Sequence, residues 1–136
     1  MTNVLNMTEQ QQHLIAVVDD DASLRRAMAR LLSVFGYRVE VFASAEDFLS
    51  AAATCKAACL IVDLALGETT GLDLARRLSA AGFAFPIIFV SGSDDRMMET
   101  QCMDFGCVAF LRKPFLHGPL MEAIAKAVGS EVVDSH

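Results

Sequence analysis

The feature that most constrains this chain is a repeated pattern: five short apolar runs, four of them ending on a turn-forming or charged residue, separated by stretches with a helical apolar stripe. Leu14 to Val18 is too short for a helix, almost wholly apolar, and stopped by three aspartates, Asp19, Asp20 and Asp21. That is how a strand buried on both faces reads. Leu24, Ala27, Met28, Leu31, Leu32 and Phe35 then recur at three- and four-residue intervals, which predicts a helix closed at Gly36. Val39 and Val41 alternate with Arg38 and Glu40, as an edge strand does, and Ser44 with Asp47 resembles an N-cap opening a helix through Leu49. Cys59 to Val62, ended by Asp63, is a third strand; Thr70 and Asp73 cap a helix that stops at Gly82. Pro86 to Val90, ended by Ser91, is a fourth strand, followed by a weaker helix from Asp94 to Phe105. Val108 to Leu111 runs into Lys113-Pro114, and a last helix spans Gly118 to Val128.

Five strands alternating with five helices require right-handed crossovers and a parallel sheet covered on both faces. The predicted fold class is α/β: a doubly wound, flavodoxin-like five-stranded sheet of order 2-1-3-4-5, which leaves the amphipathic second strand at an edge. With 136 residues, 54% of them hydrophobic, the chain has material for one core. The expected organisation is a flexible N-terminal tail over 1–13, one domain over 14–129 and a C-terminal tail over 130–136. A formal charge of −6 argues against a domain that grips nucleic-acid backbones. No apolar run approaches the roughly 18 residues of a membrane span, and the polar N-terminus lacks a signal-peptide layout, so a cytoplasmic location is expected. The four cysteines form no Cys-x-x-Cys pair and read as reduced core thiols.

Ligands of an open parallel sheet bind beyond the carboxyl ends of its strands. In this sequence those ends carry Asp19, Asp20 and Asp21, then Asp63, Ser91 and Lys113, and the predicted strand order gathers them on one patch. Asp and Ser also start turns and cap helices, so any one of them alone is more simply a cap; the coincidence of the whole set points to a site. Clustered carboxylates repel unless a cation neutralises them, and a few carboxylates with retained waters are the usual holders of Mg2+. A direct phosphate cradle after the first strand is disfavoured, because that loop offers negative charge instead of glycine and bare N–H donors. Magnesium, a lysine and a hydroxyl together suit an anion with several oxygens. A carboxylate not committed to the metal can attack phosphorus to give an acyl phosphate, and Asp63, flanked by the others, is the candidate.

The segments Val17-Val18-Asp19-Asp20-Asp21, Ile61-Val62-Asp63, Val90-Ser91-Gly92 and Leu111-Arg112-Lys113-Pro114-Phe115 resemble the signature of the receiver domain of bacterial two-component response regulators. Ser91 and Lys113 follow Asp63 by 28 and 50 residues and Gly71 follows it by 8, as in that family. Phe42-Ala43-Ser44-Ala45-Glu46-Asp47-Phe48-Leu49 is similar to the FixJ-type subgroup. The resemblance implies that Asp63 is the phosphoacceptor, that Asp20 binds Mg2+ directly with Asp63, Asp19 through water, and the Ala65 backbone carbonyl as a further ligand. It implies a switch made by Ser91 and Phe110, a Lys113 that pairs with a phosphoryl oxygen, and a cis Lys113-Pro114 bond. Asp21 is expected to start the first helix. The implied partners are a sensor histidine kinase or phosphotransfer protein, a downstream protein target or an output domain C-terminal to this one, and a phosphorylation-dependent homodimer, with no direct nucleic-acid or membrane contact. Enzymatic activity beyond self-phosphorylation and slow self-dephosphorylation is not expected.

One departure stands out: Leu66-Gly67 occupies the place where receivers commonly have Met-Pro. Glycine is expected to free the backbone of the loop that carries the Ala65 carbonyl. Two alternatives remain. One is a pseudo-receiver that binds partners without being phosphorylated. The other is a haloacid-dehalogenase-type phosphohydrolase, imitated by Asp19-x-Asp21 but lacking a later Asp pair after its lysine.

Overall fold

The computed structural model describes residues 13–134, with side chains as far as Gly129. Most of the expected N-terminal tail, residues 1–12, and the end of the C-terminal tail, residues 135–136, lie outside the described residues.

The elements alternate as the apolar pattern requires: β1 Leu14–Val18, α1 Ala22–Val34, β2 Arg38–Phe42, α2 Ala45–Ala51, β3 Cys59–Asp63, α3 Gly71–Ala80, β4 Ile87–Ser91, α4 Arg96–Phe105, β5 Ala109–Arg112 and α5 His117–Asp134. All five strands pair in parallel in the order β2-β1-β3-β4-β5. Because side chains alternate across a strand, each central strand feeds two cores. Ala16, Val18, Leu60, Val62 and Phe89 meet Phe48 of α2, Leu72 and Leu78 of α3 and Cys102 of α4. Ile15, Val17, Ile61 and Ile88 meet Met28 and Leu32 of α1 and Leu120 and Ile124 of α5. Each such large side chain contributes about 1.5–3 kcal/mol when fully buried. β1, β3 and β4 are buried along their whole length, which fixes the rigid centre from which the site residues project.

Local chemistry sets the boundaries. Asp21 caps α1 through the N–H groups of Ser23 and Leu24, Ser44 caps α2, and Thr70 with Asp73 forms a full capping box on α3. Two boundaries differ from expectation. α4 begins at Arg96, because the Asp95 side chain accepts the Met98 N–H and so stands outside the helix as its cap. α5 runs past Gly129 to Asp134, into the segment expected to be a tail. Gly129 has no positive φ, and a glycine inside a helix costs only about 1 kcal/mol, too little to end one by itself. At the edge, Val41 of β2 is 45% exposed instead of joining the core beside Val39, since no strand and only α1 covers that side.

The segment after β3 is not a free loop. Ala65 and Leu66 pair antiparallel with Thr70 and Thr69, closing a hairpin around Gly67 and Glu68. Gly67 has φ +79°, a value closed to proline and favoured in the tight turns that join antiparallel strands. The expectation of a freed backbone is therefore corrected: glycine here permits a turn that pins the loop.

Candidate functional site

Asp19, Asp63 and Ser91 are the buried polar residues among those described, at 4%, 6% and 4% exposure, and all three sit at carboxyl ends of central strands. β1 delivers Asp19, whose Oδ1 accepts the Asp21 N–H at 2.9 Å. β3 delivers Asp63, whose Oδ1 accepts the Ala65 N–H at 3.0 Å. Lys113, carried just past β5, places Nζ 2.8 Å from Asp63 Oδ2 and 3.5 Å from Asp19 Oδ2. The Lys113-Pro114 peptide is cis, and the Lys113 N–H donates to the Ser91 carbonyl at 2.7 Å. Lysine and serine are thus tied to each other through the backbone as well as to the same patch.

Oxygens of Asp19, Asp20 and Asp63 lie within 4.8 Å of one another, with Asp20 exposed and the other two buried. Three carboxylates meet one ammonium, so the acids outnumber the lysine that pairs with them. Burial raises the Asp19 pKa above its ordinary value, and the neighbouring Asp63 charge raises it further against the lowering pull of the Asp21 N–H and Lys113. Burial pulls Lys113 down, but its hydrogen bond to Asp63 and the charges of Asp63 and Asp19 more than offset this, and its pKa ends raised. Hard oxygen donors, one exposed face and excess negative charge fit a divalent cation that keeps part of its water. The Ala65 carbonyl belongs to the pinned hairpin described above, beside Asp63.

Ser91 faces a cavity of about 390 Å³ that it shares with Asp63, Ala65, Thr70 and Met98. Its hydroxyl is turned onto its own loop, accepting the Ser93 N–H at 3.0 Å and donating to the Ser93 carbonyl at 3.3 Å. Phe110 is half-buried in β5, in register with Phe89 of β4, and packs with the core that includes Cys102 and Phe105 of α4. It lies in the strand that ends just before Lys113, three residues ahead of that lysine, and is not one of the residues that gather in the patch. Asp21 is the α1 cap, as expected, and not a member of the cluster.

Three features of this site were not read from the sequence. Arg25 Nη1 donates to the Asp19 carbonyl at 2.7 Å. Arg112 pairs with Asp94 and, at 2.6 Å, with Glu99, joining β5 to the start of α4. At Gly71 a Cβ would come within 2.5 Å of the Asp63 carbonyl oxygen and 2.8 Å of Val62 Cγ1, so this position admits no side chain beside Asp63. The first two are long side chains in an arginine-rich helix and at a strand end, and spacing alone gives them no target.

Comparison with known proteins agrees with this geometry. A family model described as the response regulator receiver domain matches residues 15–125. The transcriptional regulatory protein TdiR of Thauera aromatica is 38% identical over 122 residues, covering 88% of this chain and 54% of that protein. The transcriptional regulatory protein FixJ of Rhizobium meliloti is 33% identical over 115 residues, covering 85% of this chain and 56% of that one. The chain therefore spans about half the length of these relatives. Among solved structures, the crystal structure of FixJ-N superposes with a TM-score of 0.82 at 32% identity, covering 88% of this chain and 95% of that one. No helix of the described residues is long and apolar enough to cross a membrane.

Proposed function

The chain belongs to the response regulator receiver family, and from that premise we propose that it is a phosphoacceptor of a two-component relay in which Asp63 is phosphorylated. The observation that carries this reading is the buried Asp63 carboxylate, held by the Ala65 N–H on one oxygen and by Lys113 on the other. That arrangement orients a carboxylate nucleophile and gives each of its oxygens a hydrogen-bond donor in a place otherwise hostile to charge. A carboxylate oxygen of Asp63 attacks phosphorus, the bond from phosphorus to the donor breaks, and the donor leaves with that electron pair. Lys113 moves from the free carboxylate to a phosphoryl oxygen, which preserves its charge pairing through the step. Asp20 and Asp63, with the Ala65 carbonyl and with Asp19 through water, would hold Mg2+, which would neutralise part of the phosphoryl charge when bound.

Ser91 then exchanges its bonds with Ser93 for a phosphoryl oxygen, and Phe110 moves with it, changing the face made by α4, β5 and α5. The phosphoryl donor is a sensor histidine kinase or phosphotransfer protein in the cytoplasm, and the receiving surface is a protein target, an output domain or a second copy of the chain. Longer relatives named transcriptional regulators, of which the matched region is about half, support an output domain as the recipient. The net charge of −6 disfavours nucleic-acid contact by this domain.

Incubation with acetyl phosphate and Mg2+, read by intact mass, tests the reading. One phosphoryl group should be added to the wild type and none to Asp63→Asn or to the metal-free protein. Labelling of Asp63→Asn on another residue, or continuous turnover of the donor without labelled protein, would overturn it.

A further inference from the structure

We propose that Arg25 is a positioning residue for the metal-binding carboxylates, acting through the peptide that joins Asp19 to Asp20. The proposal rests on the reading of Asp19, Asp20 and Asp63 as a divalent-cation site. The β1–β3 pairing ends at Val18, one residue short of the acid pair. Asp19 keeps one last backbone bond on the β2 side, its N–H to the Phe42 carbonyl at 3.0 Å. Its carbonyl points away from the ladder and takes the Arg25 guanidinium at 2.7 Å instead. Its carboxylate is held by the Asp21 N–H at 2.9 Å. Asp19 is thus fixed at N–H, carbonyl and side chain, and the Arg25 bond is the one that sets the plane of the Asp19–Asp20 peptide. Asp20 hangs from that plane on an exposed side chain, so its placement depends on the peptide more than on packing.

The placement of Arg25 is unfavourable by helix electrostatics alone. It follows the first turn of α1, where anions are stabilised and cations are not, and the acid at that end, the Asp21 cap, commits its carboxylate to the Ser23 and Leu24 N–H groups. What Arg25 gains there is its short hydrogen bond to the Asp19 carbonyl. The cation can act on the acid cluster in two ways, and they have opposite signs. By charge, a guanidinium bonded to the Asp19 backbone opposes a second cation at the neighbouring site, so its removal would tighten metal binding. By geometry, it holds a ligand-bearing peptide, so its removal would weaken metal binding. A short charge-assisted hydrogen bond is directional and strong, whereas the field of a half-exposed guanidinium is screened by water and salt. Geometry prevails.

The test is a magnesium titration of the isotope-labelled full chain, followed by the backbone amide shifts of residues 19–21 and 63–65, in wild type, Arg25→Gln and Arg25→Lys. Arg25→Gln keeps a good helix former but cannot span the same distance with a charged donor; its Mg2+ Kd should rise about tenfold. Arg25→Lys keeps a charged donor and should stay within about threefold of wild type. Equal or tighter binding by Arg25→Gln, or an Arg25→Lys variant as weak as it, overturns the positioning role while leaving the metal site standing. A wild type whose amides do not respond to Mg2+ overturns the metal site itself, and Arg25 with it.

Discussion

Replacing Gly71 with alanine should damage the phosphoacceptor specifically, through one methyl group. The added Cβ would lie 2.5 Å from the Asp63 carbonyl oxygen, 3.1 Å from its carbonyl carbon and 2.8 Å from Val62 Cγ1. Two of those three atoms are backbone, so the contact cannot be relieved by a rotamer change. Either α3 moves outward at its first residue, against the Thr70–Asp73 capping box, or the end of β3 moves, taking Asp63 with it. Forcing a methyl into a site of this kind costs about 1–3 kcal/mol, and the better helix propensity of alanine returns at most about 1. With the full propensity gain subtracted, the net loss reaches about 2 kcal/mol, which lowers the melting temperature of a chain of this size by up to about 7 °C. Gly82→Ala is the matched control. At φ +90° with open space around it, its cost is backbone strain of about 1 kcal/mol, remote from the site. Both variants should melt lower, but only Gly71→Ala should label more slowly with acetyl phosphate, because only it displaces the nucleophile. A Gly71→Ala protein that melts within about 1 °C of wild type and labels at the same rate would refute the argument.

Other consequences follow from the charge distribution and the loop after β4. Asp20→Asn removes one of three clustered carboxylates, and should raise the metal-free melting point by about 1 kcal/mol of stability while abolishing the gain on adding Mg2+; melts with and without the metal decide both. Since burial raises the Asp19 pKa, the folded protein binds that proton more readily than the unfolded chain, whose aspartates keep the ordinary value of 3.8. The Asp19 contribution is therefore destabilising at neutral pH and fades as pH falls through its raised value toward 3.8, so Asp19→Asn should remove this component from metal-free denaturation curves recorded across that range. Ser91→Ala should still accept a phosphoryl group at Asp63, yet the amides of residues 94–112 should respond less to beryllofluoride than those of wild type.

The sheet was legible because its signal is redundant. Runs such as Leu60-Ile61-Val62 are short, continuously apolar and ended by a site residue, and the one alternating run, Arg38 to Val41, belongs at an edge. The convergence of Asp19, Asp20, Asp63 and Lys113 followed from strand order alone, since β1, β3, β4 and β5 are consecutive neighbours. What escaped the sequence was whatever depends on how the backbone turns or how far a side chain reaches. Gly67 offers the same residue type to a loose loop and to a tight hairpin, and only the pairing of Ala65 with Thr70 distinguishes them. Arg25 is one of two adjacent arginines on α1, and spacing does not say which one bends back to the Asp19 carbonyl. Gly129 has the composition of a helix end, but its backbone is not left-handed and the helix continues.

The proposed path from the acid patch to the surface runs along β4. Ser91 ends that strand and Phe89, two residues earlier and fully buried, faces the core shared with α4, its ring 6.4 Å from that of Phe105 in an edge-to-face contact. Phe110 pairs in register with Phe89 on the neighbouring strand. A displacement at Ser91 therefore acts on a strand whose inward residue already touches the end of α4 and adjoins the aromatic of β5. The resistance it meets is uneven. α2 and α3 present Phe48, Leu72, Leu74 and Leu78 to the core, while α4 is fully buried only at Cys102 and leaves Met97 and Met103 exposed to solvent. Elements with few buried apolar anchors are the ones that shift at low cost. What holds the start of α4 instead is Arg112, through Asp94 and Glu99, and Asp94 is almost wholly exposed. Ion pairs of that kind are weak and screened by salt. If Asp63 is phosphorylated as proposed, the rigid sheet is the part that would carry the chemistry, and α4, anchored in the core by few fully buried residues, the part that would shift to report it.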